Sequence, residues 1–163
     1  MDKYVVDTSA LISAKDYYPP DNFSSFWDYL HRLNLDNKLI ILKKVKEELA
    51  EGNDYLSNTF FRGKIITDDE DQETIENLRF IVNRLEEDNK GGFQKWLIGA
   101  DPYIVAYAYK LKKQFANGVI LLTGEEEKGN IIKIPFVCRK FDIPFGKIPK
   151  LITEERINFS LIK

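Results

Sequence analysis

Four acidic residues in separate parts of the chain have the chemistry and the surroundings to hold a metal ion. Asp7 ends the apolar run "YVVD", and Glu48 lies in "VKEEL". Asp101 lies in "ADPYI", and Glu125 follows "VILLTG". A carboxylate beside buried residues is costly unless a partner or a cation compensates it. Because Mg²⁺ and Mn²⁺ prefer oxygen ligands, four such residues brought together predict a divalent-cation site.

Each acid taken singly also has an ordinary structural explanation. Asp7 suits a turn or a cap, and Glu48 suits a solvated helix face. Asp101 before Pro102 suits a helix N-cap, and Glu125 belongs to the polar run "EEE". The metal site is favoured because the four acids come from four separate segments that the predicted fold brings to one edge.

Short, wholly apolar segments predict a parallel sheet that is covered on both faces. The predicted strands are 3–7, 38–42, 64–67, 118–123 and 143–145. Apolar stripes at helical spacing predict four helices. The first covers 23–33, the second runs from Val45 to a stop at Gly52, the third runs from the acidic segment 68–73 to Leu85, and the fourth covers 102–113. This alternation predicts the α/β class, as a three-layer α/β/α sandwich with a central, mainly parallel sheet.

The predicted fold also indicates where the acids lie. Ligands of open α/β sheets bind outside the carboxyl ends of the strands. Asp7 ends the first strand, and Glu125 lies two residues beyond Thr123, so both are predicted at that edge. At about 100° per residue, Glu48 lies about 60° from the buried Val45 on its helix, and Glu47 about 160° away. Glu48 is therefore predicted to face inward and Glu47 to face solvent.

Composition and net charge limit the classes of protein to which the chain can belong. The chain has 163 residues and 44% apolar content, which fits one domain over 1–163. A net charge of −2 gives no overall basic field for nucleic acid, although lysines cluster locally. The single cysteine, Cys138, permits no internal disulfide and suits a small core residue. Neither a signal-peptide pattern nor an apolar run of ~20 residues is present, so we expect a cytoplasmic protein with no membrane contact.

The sequence resembles the PIN-domain nucleases, and within them a prokaryotic PIN-like subfamily of unassigned specific function. The similarity is carried, in the family's order, by "YVVDTSALISAKDYYPPDNFSSFWDYL", "LKKVKEELAEGNDYL", "ADPYIVAYA" and "LLTGEEEKGNIIKIPFVCRKFDIPF". It implies a small α/β/α fold that cuts single-stranded or structured RNA with Mg²⁺ or Mn²⁺ held by three or four acids.

The resemblance assigns both catalysis and metal binding to four residues of this chain: Asp7, Glu48, Asp101 and Glu125. Ser9 matches the small polar residue that supports the first acid. Thr8 and Ser9 are expected to turn the chain and orient Asp7, and Thr123 is expected to support the site. Glu126 is an open alternative to Glu125 because the three glutamates are consecutive.

The function that this implies is a metal-dependent endoribonuclease, and family analogy extends it to the toxin half of a toxin–antitoxin pair. The partners to consider are an RNA substrate, an antitoxin protein and a second copy of the chain. RNA contacts are predicted at Tyr17, Tyr18, Lys43 and Lys44, although the tyrosines equally suit loop packing. The alternative function is a catalytically inactive PIN-like scaffold that binds RNA or a protein partner.

Overall fold

The computed structural model describes residues 2–159, and at its centre lies a sheet of four parallel strands. The strands are β1 (Lys3–Val6), β2 (Leu39–Ile40), β3 (Val119–Leu122) and β4 (Phe145–Gly146). They lie side by side in the order β2-β1-β3-β4. All four residues of β3 and three of the four in β1 are buried, as expected for inner strands covered on both faces.

Helices flank this sheet and complete the three-layer α/β/α sandwich that the sequence predicts. In chain order they are α1 (Thr8–Tyr17), α2 (Ser24–Leu35), α3 (Lys43–Ala50), α4 (Gln72–Glu86), α5 (Phe93–Ile98), α6 (Asp101–Phe115), α7 (Ile134–Lys140) and α8 (Ile148–Glu154), with a π-helical turn at Leu56–Phe60. Helix α6 packs directly on β1 and β3, α4 packs on α6, and α2 packs on β2.

Three predicted strands differ from the structure. The last one, predicted at 143–145, is observed as β4 and shares only Phe145 with the prediction. The second strand is shorter than 38–42 because Leu42 already serves as the N-cap of α3. The strand predicted at 64–67 is wrong, since the segment makes a single bridge, between Leu42 and Thr67. The buried side chain of Asn34 explains this: it donates to the Ile65 carbonyl at 2.9 Å and accepts from the Ile65 amide at 2.7 Å. The backbone of Ile65 is thereby unavailable to a strand ladder.

The four predicted helices are present as α2, α3, α4 and α6, whereas α1, α5, α7 and α8 were not predicted. The turn expected at Thr8 and Ser9 is the first turn of α1. Its buried residues include two alanines, which give only a weak apolar stripe. Helices α7 and α8 are seven residues long, too short for a periodic pattern to stand out.

The order of the strands creates a crevice at one edge of the sheet. The chain passes from β1 to β2 on one side and then crosses to β3 on the other side of β1. In open α/β sheets, such a reversal between neighbouring strands marks the place where ligands bind. Val6 of β1 pairs with Leu122 of β3, so Asp7 and Thr123 follow their strands side by side.

Two further expectations concern the core and the membrane. Cys138 is fully buried within the hydrophobic core, as predicted. Over residues 2–159, no helix combines the length and the apolar character required to cross a bilayer.

Candidate active site

Asp7 is the most buried acid of the site, with 2% of its surface exposed. It occupies the N-cap position of α1, but its side chain makes no capping hydrogen bond. Instead, Oδ2 accepts hydrogen bonds from the hydroxyls of Ser9 and Thr123, the latter at 3.0 Å. Both donors are neutral, so they orient the carboxylate without cancelling its charge.

The turn after β3 is held against α1 by the same hydroxyls. The amide of Gly124 donates to Ser9 Oγ at 2.9 Å, and the amide of Glu125 donates to Thr123 Oγ1 at 3.1 Å. A Cβ atom on Gly124 would lie 2.6 Å from the Ser13 hydroxyl oxygen, closer than such contacts allow. Glycine is therefore required for the turn to pass this close to the helix.

Glu48 links the beginnings of two other helices. One carboxylate oxygen accepts from the Thr8 hydroxyl at 2.7 Å, and the other accepts from the Ala100 amide at 2.8 Å. Glu47 lies on the solvent side of α3, with its carboxylate 4.0 Å from Lys43. The structure thus places the two glutamates on the faces that helical geometry predicts.

Asp101 is not the helix cap that its position before Pro102 suggested. The N-cap of α6 is Ala100, Asp101 is the first helical residue, and no side-chain capping bond is present. The pKa of Asp101 is raised to about 8, mainly by burial and further by the negative charges of Asp7, Glu125 and Glu48. The carboxylates of the other three acids thus disfavour the charged form of Asp101.

The choice between Glu125 and Glu126 is decided by where their side chains lie. Glu125 accepts a hydrogen bond from the Ile134 amide at 2.9 Å and lies 3.7 Å from the Lys133 ammonium group. Glu126 has 77% of its side chain exposed and forms an ion pair with Lys147 at 2.5 Å. Glu125 is therefore the fourth acid of the group.

A cleft of about 460 Å³ opens over three of these acids, Glu48, Asp101 and Glu125. Three lysines, Lys95, Lys128 and Lys133, also line it, together with Trp96. The indole N–H of Trp96 is buried and has no hydrogen-bond partner among residues 2–159. The cleft therefore combines carboxylates with cationic groups, as a site for a metal ion and an anionic ligand requires.

These lysines were not predicted from the sequence, because a long-range contact positions them. The amide of Gly91 donates to the Asn130 carbonyl at 2.7 Å, and the Ile132 amide donates to the Gly91 carbonyl at 3.0 Å. This pairing fixes the loop that carries Lys128 and Lys133 beside the helix that carries Lys95. The one sequence signal was the pair of glycines at 91–92.

The electrostatics of Asp7 follow from its surroundings. The pKa of Asp7 is raised to about 6, and burial is the largest cause. The hydrogen bond from Ser9 and the weaker one from Thr123 oppose this rise, and the charges of Glu125 and Glu48 add to it. A carboxyl group with a raised pKa is destabilised in its charged form, and a bound cation would relieve this cost.

The donor set fits a hard divalent cation by its chemistry, since it consists of carboxylate oxygens. Among residues 2–159, however, no three carboxylate, imidazole or thiol groups form a ready-made ligand cluster. The carboxylates of Glu48 and Glu125 are instead held by backbone amides. Mg²⁺ usually keeps several water ligands, so direct coordination by one or two of the acids is sufficient.

The four predicted RNA-contact residues lie in different surroundings. Tyr17 has 77% of its surface exposed, whereas the Tyr18 ring packs on Phe26 at 4.9 Å between ring centroids. Lys43 lies beside Glu47, and Lys44 forms an ion pair with Glu70 at 3.2 Å. Tyr17 is therefore the most accessible aromatic side chain of the predicted set.

Comparison with known proteins places the chain in one family. Residues 4–159 match a domain of unknown function, DUF4411, and the chain belongs to that family. No curated protein and no solved structure matches the chain.

Proposed function

For this member of the DUF4411 family, we propose a metal-dependent ribonuclease that hydrolyses phosphodiester bonds of unpaired RNA. The observation that carries the proposal is that Glu48, Asp101 and Glu125 line one cleft, and that Thr8, the residue after the buried Asp7, bonds to Glu48. Burial and the negative charges of the other three acids raise the pKa of Asp101 to about 8. Negative charges that repel one another in this way lower the stability of the fold, and they are typical of functional sites. The resemblance to PIN-domain nucleases supports the same reaction.

The proposed metal ligands are the four acids, with Mg²⁺ or Mn²⁺ as the cation. When bound, the cation would neutralise charge on the phosphate and make a coordinated water more acidic. This role requires carboxylates that stay fixed while the substrate binds. Ser9 and Thr123 fix Asp7, and Thr8 and the Ala100 amide fix Glu48.

The lysines of the cleft supply the attraction for the phosphate backbone. Lys95, Lys128 and Lys133 line the same cleft as the acids, although the net charge of the whole chain is −2. Such local positive groups favour a polyanion where the overall field does not. The buried indole N–H of Trp96 is a further donor beside the cleft, and an unpaired buried donor gains stability when a ligand accepts from it.

The test is cleavage by the purified protein of labelled RNA and DNA in single-stranded, hairpin and duplex forms, with Mn²⁺ or Mg²⁺ and with chelator. We expect cation-dependent cutting of single-stranded or loop RNA and little action on duplex DNA. Asp7→Asn, purified in parallel, should be inactive, and this also controls for contaminating nucleases. Glu47→Gln, a change of the same kind on the solvent side of α3, should stay active.

A different result would replace the proposal with the scaffold function. In that case the wild type and Asp7→Asn would be equally inert on every substrate, while the wild type still bound RNA or a cellular protein. The acids would then serve binding without hydrolysis.

A further inference from the structure

A second cavity, of about 530 Å³, lies on the other side of the turn after β3. Helix α1 forms one wall, the turn itself a second, and the beginning of α8 a third. Residues that line it include Ala10, Ala14, Tyr17, Gly124 and Ile148. The volume falls within the range of about 300–1,000 Å³ that is usual for small-molecule sites.

The cavity has an apolar interior and one aromatic wall. Ala10, Ala14 and Tyr17 are four and three residues apart, so they lie along one face of α1. The two alanines are buried and small, and this leaves the space that the Tyr17 ring borders. Tyr17 is 77% exposed. Its neighbour Tyr18 also lines the cavity, but its ring packs on Phe26 and its carbonyl accepts a hydrogen bond from Trp27 Nε1 at 2.7 Å.

The rim of the cavity carries both kinds of hydrogen-bonding group. The Lys147 ammonium group and the Glu126 carboxylate meet there at 2.5 Å, and both side chains are more than half exposed. A ligand with donors and acceptors along one edge and an apolar face suits such a site. Nucleobases have this chemistry, and unpaired bases stack on aromatic side chains.

The cavity and the acid cleft share the turn between them. Thr123 lines the cavity, and its hydroxyl donates to Asp7 at 3.0 Å. Gly124 lines it as well, and its amide donates to Ser9, which in turn binds Asp7. The next residue, Glu125, lines the acid cleft, so the two openings lie on either side of one turn.

We propose that this cavity binds one unpaired nucleobase of the RNA strand, stacked on Tyr17, next to the phosphodiester that is cleaved. The inference rests on the proposed function, because that function places the cleaved bond at the acid cleft. It explains a preference for unpaired RNA, because a base within a duplex cannot leave its stack to enter the cavity without an energetic cost. It also gives an exposed tyrosine at the edge of the site a role.

The experiment measures kcat/KM on single-stranded RNA in which one nucleotide at a time is made abasic. Removing the base beside the cleaved bond should lower kcat/KM of the wild type by about five- to a hundredfold, the usual range for one base–aromatic stack. Tyr17→Ala should lower kcat/KM for the intact strand by a similar factor and be insensitive to the abasic nucleotide. Tyr17→Phe keeps the ring and should restore the sensitivity to the abasic nucleotide that Tyr17→Ala loses.

Phe115→Ala is the matched control. Phe115 is 47% exposed, and its ring lies under the Lys3 ammonium group near the amino end of β1, opposite the acid cleft. This variant should keep the full sensitivity to the abasic nucleotide. Equal sensitivity of the wild type and Tyr17→Ala to base removal would overturn the inference, since the base would then be bound elsewhere.

Binding measurements separate the inference from the proposed function. In the Asp7→Asn background, fluorescence anisotropy should show tighter binding of the intact strand than of the abasic strand, and Tyr17→Ala should abolish the difference. If this holds without cleavage of any RNA, the base site stands and the nuclease proposal fails. If RNA is cut with no dependence on Tyr17 or the base, the nuclease stands and the base site fails. If no RNA binds and a protein occupies the cavity instead, both fail.

Discussion

Two groups of acidic residues in this molecule have opposite electrostatic surroundings. The first lies at the beginning of α4. Asp71 accepts from the Thr74 amide at 3.1 Å and from the Lys110 ammonium group at 2.9 Å, and Glu73 lies 3.5 Å from Lys113. Burial alone would raise the pKa of Asp71, but the hydrogen bonds from Thr74 and Lys110 outweigh it and lower the pKa.

The second group is the acid cleft, where carboxylates face carboxylates. Asp7 and Asp101 have pKa values raised to about 6 and about 8, first by burial and then by neighbouring negative charge. Lys133 is the cation that opposes the rise at Asp101, and it does not outweigh it. The comparison shows that lysines neutralise the acids at the beginning of α4. In the cleft, lysine neutralises the acids only incompletely.

We expect this difference to correspond to different roles of the two groups. Acids that cap a helix and pair with lysines stabilise the fold. Acids that repel one another cost stability, and such a cost is typical of sites that bind a ligand. Substitutions that remove one charge should therefore have opposite effects on stability in the two groups.

The largest expected effect is on catalytic activity, and it should differ between substitutions of two adjacent residues of α3. Glu48→Gln should lower kcat/KM on single-stranded RNA by on the order of a hundred- to a thousandfold, because it removes charge that is fixed at the cleft. Glu47→Gln removes the same charge on the solvent side and should change kcat/KM by no more than about twofold. Comparable losses in the two variants would show that overall charge, and not the cleft, controls the rate.

The next effect is stabilisation by a divalent cation. At a Mn²⁺ concentration about a hundred times its Kd, the free energy of unfolding of the wild type should rise by about 2.7 kcal/mol. Asp7→Asn should lose most of this gain, whereas Asp71→Ala should keep it, because Asp71 lies in the paired group. Urea denaturation with and without Mn²⁺ measures the gain. An undiminished gain in Asp7→Asn would place the cation outside the cleft.

A smaller effect is expected when Asp101 is neutralised in the presence of chelator. Its pKa is about 8 in the folded state and near its ordinary value of 3.8 in the unfolded state, so the folded state binds more protons between these values. The contribution of Asp101 to the stability of the wild type should therefore fall as the pH rises from about 4 to about 8. Asn does not titrate, so Asp101→Asn should be more stable than the wild type above pH 8, and the difference should shrink as the pH falls and vanish near pH 4.

The measurement is the free energy of unfolding at several pH values, with Glu47→Gln as the control. The charges around Asp101 are those of Asp7, Glu48 and Glu125, opposed by Lys133. A difference that is constant with pH would mean that Asp101 does not change protonation in the folded state over this range.

The site was predictable from sequence where local patterns place residues. Asp7 follows an apolar strand and Glu48 follows from helical geometry, and both lie near the carboxyl edge of β1. The role of Asp101 was harder to foresee, because the dipeptide Asp-Pro also suits a cap and only the structure shows that Ala100 occupies that position. The choice of Glu125 over Glu126 depended on a contact with Ile134 that no local pattern encodes.

The fold was predicted best where the apolar pattern is long. The helix of 15 residues that ends at Glu86 was recognised from its stripe, whereas the seven-residue helices α7 and α8 were missed. The false strand at 64–67 shows the opposite error: its apolar residues suit a strand, but the side chain of Asn34, 31 positions from Ile65, binds the backbone that would pair. The lysines of the cleft escaped prediction for the same reason, since long-range contacts position them.

The smallest effect concerns the paired acids and has the opposite sign to that at Asp101. Asp71→Ala removes the cap of α4 and leaves Lys110 without its partner, so it should lower the free energy of unfolding by about 1 kcal/mol at pH 7. The pKa of Asp71 is lowered in the folded state, so its contribution is present above the unfolded pKa and is lost as the pH falls through the folded value. Denaturation at pH 7 and at pH 2–3 measures this, with Glu76→Ala, whose partner is the neutral Gln72, as the control. If Asp71→Ala were instead more stable than the wild type at pH 7, the two groups of acids would share one electrostatic character and the contrast between them would be lost.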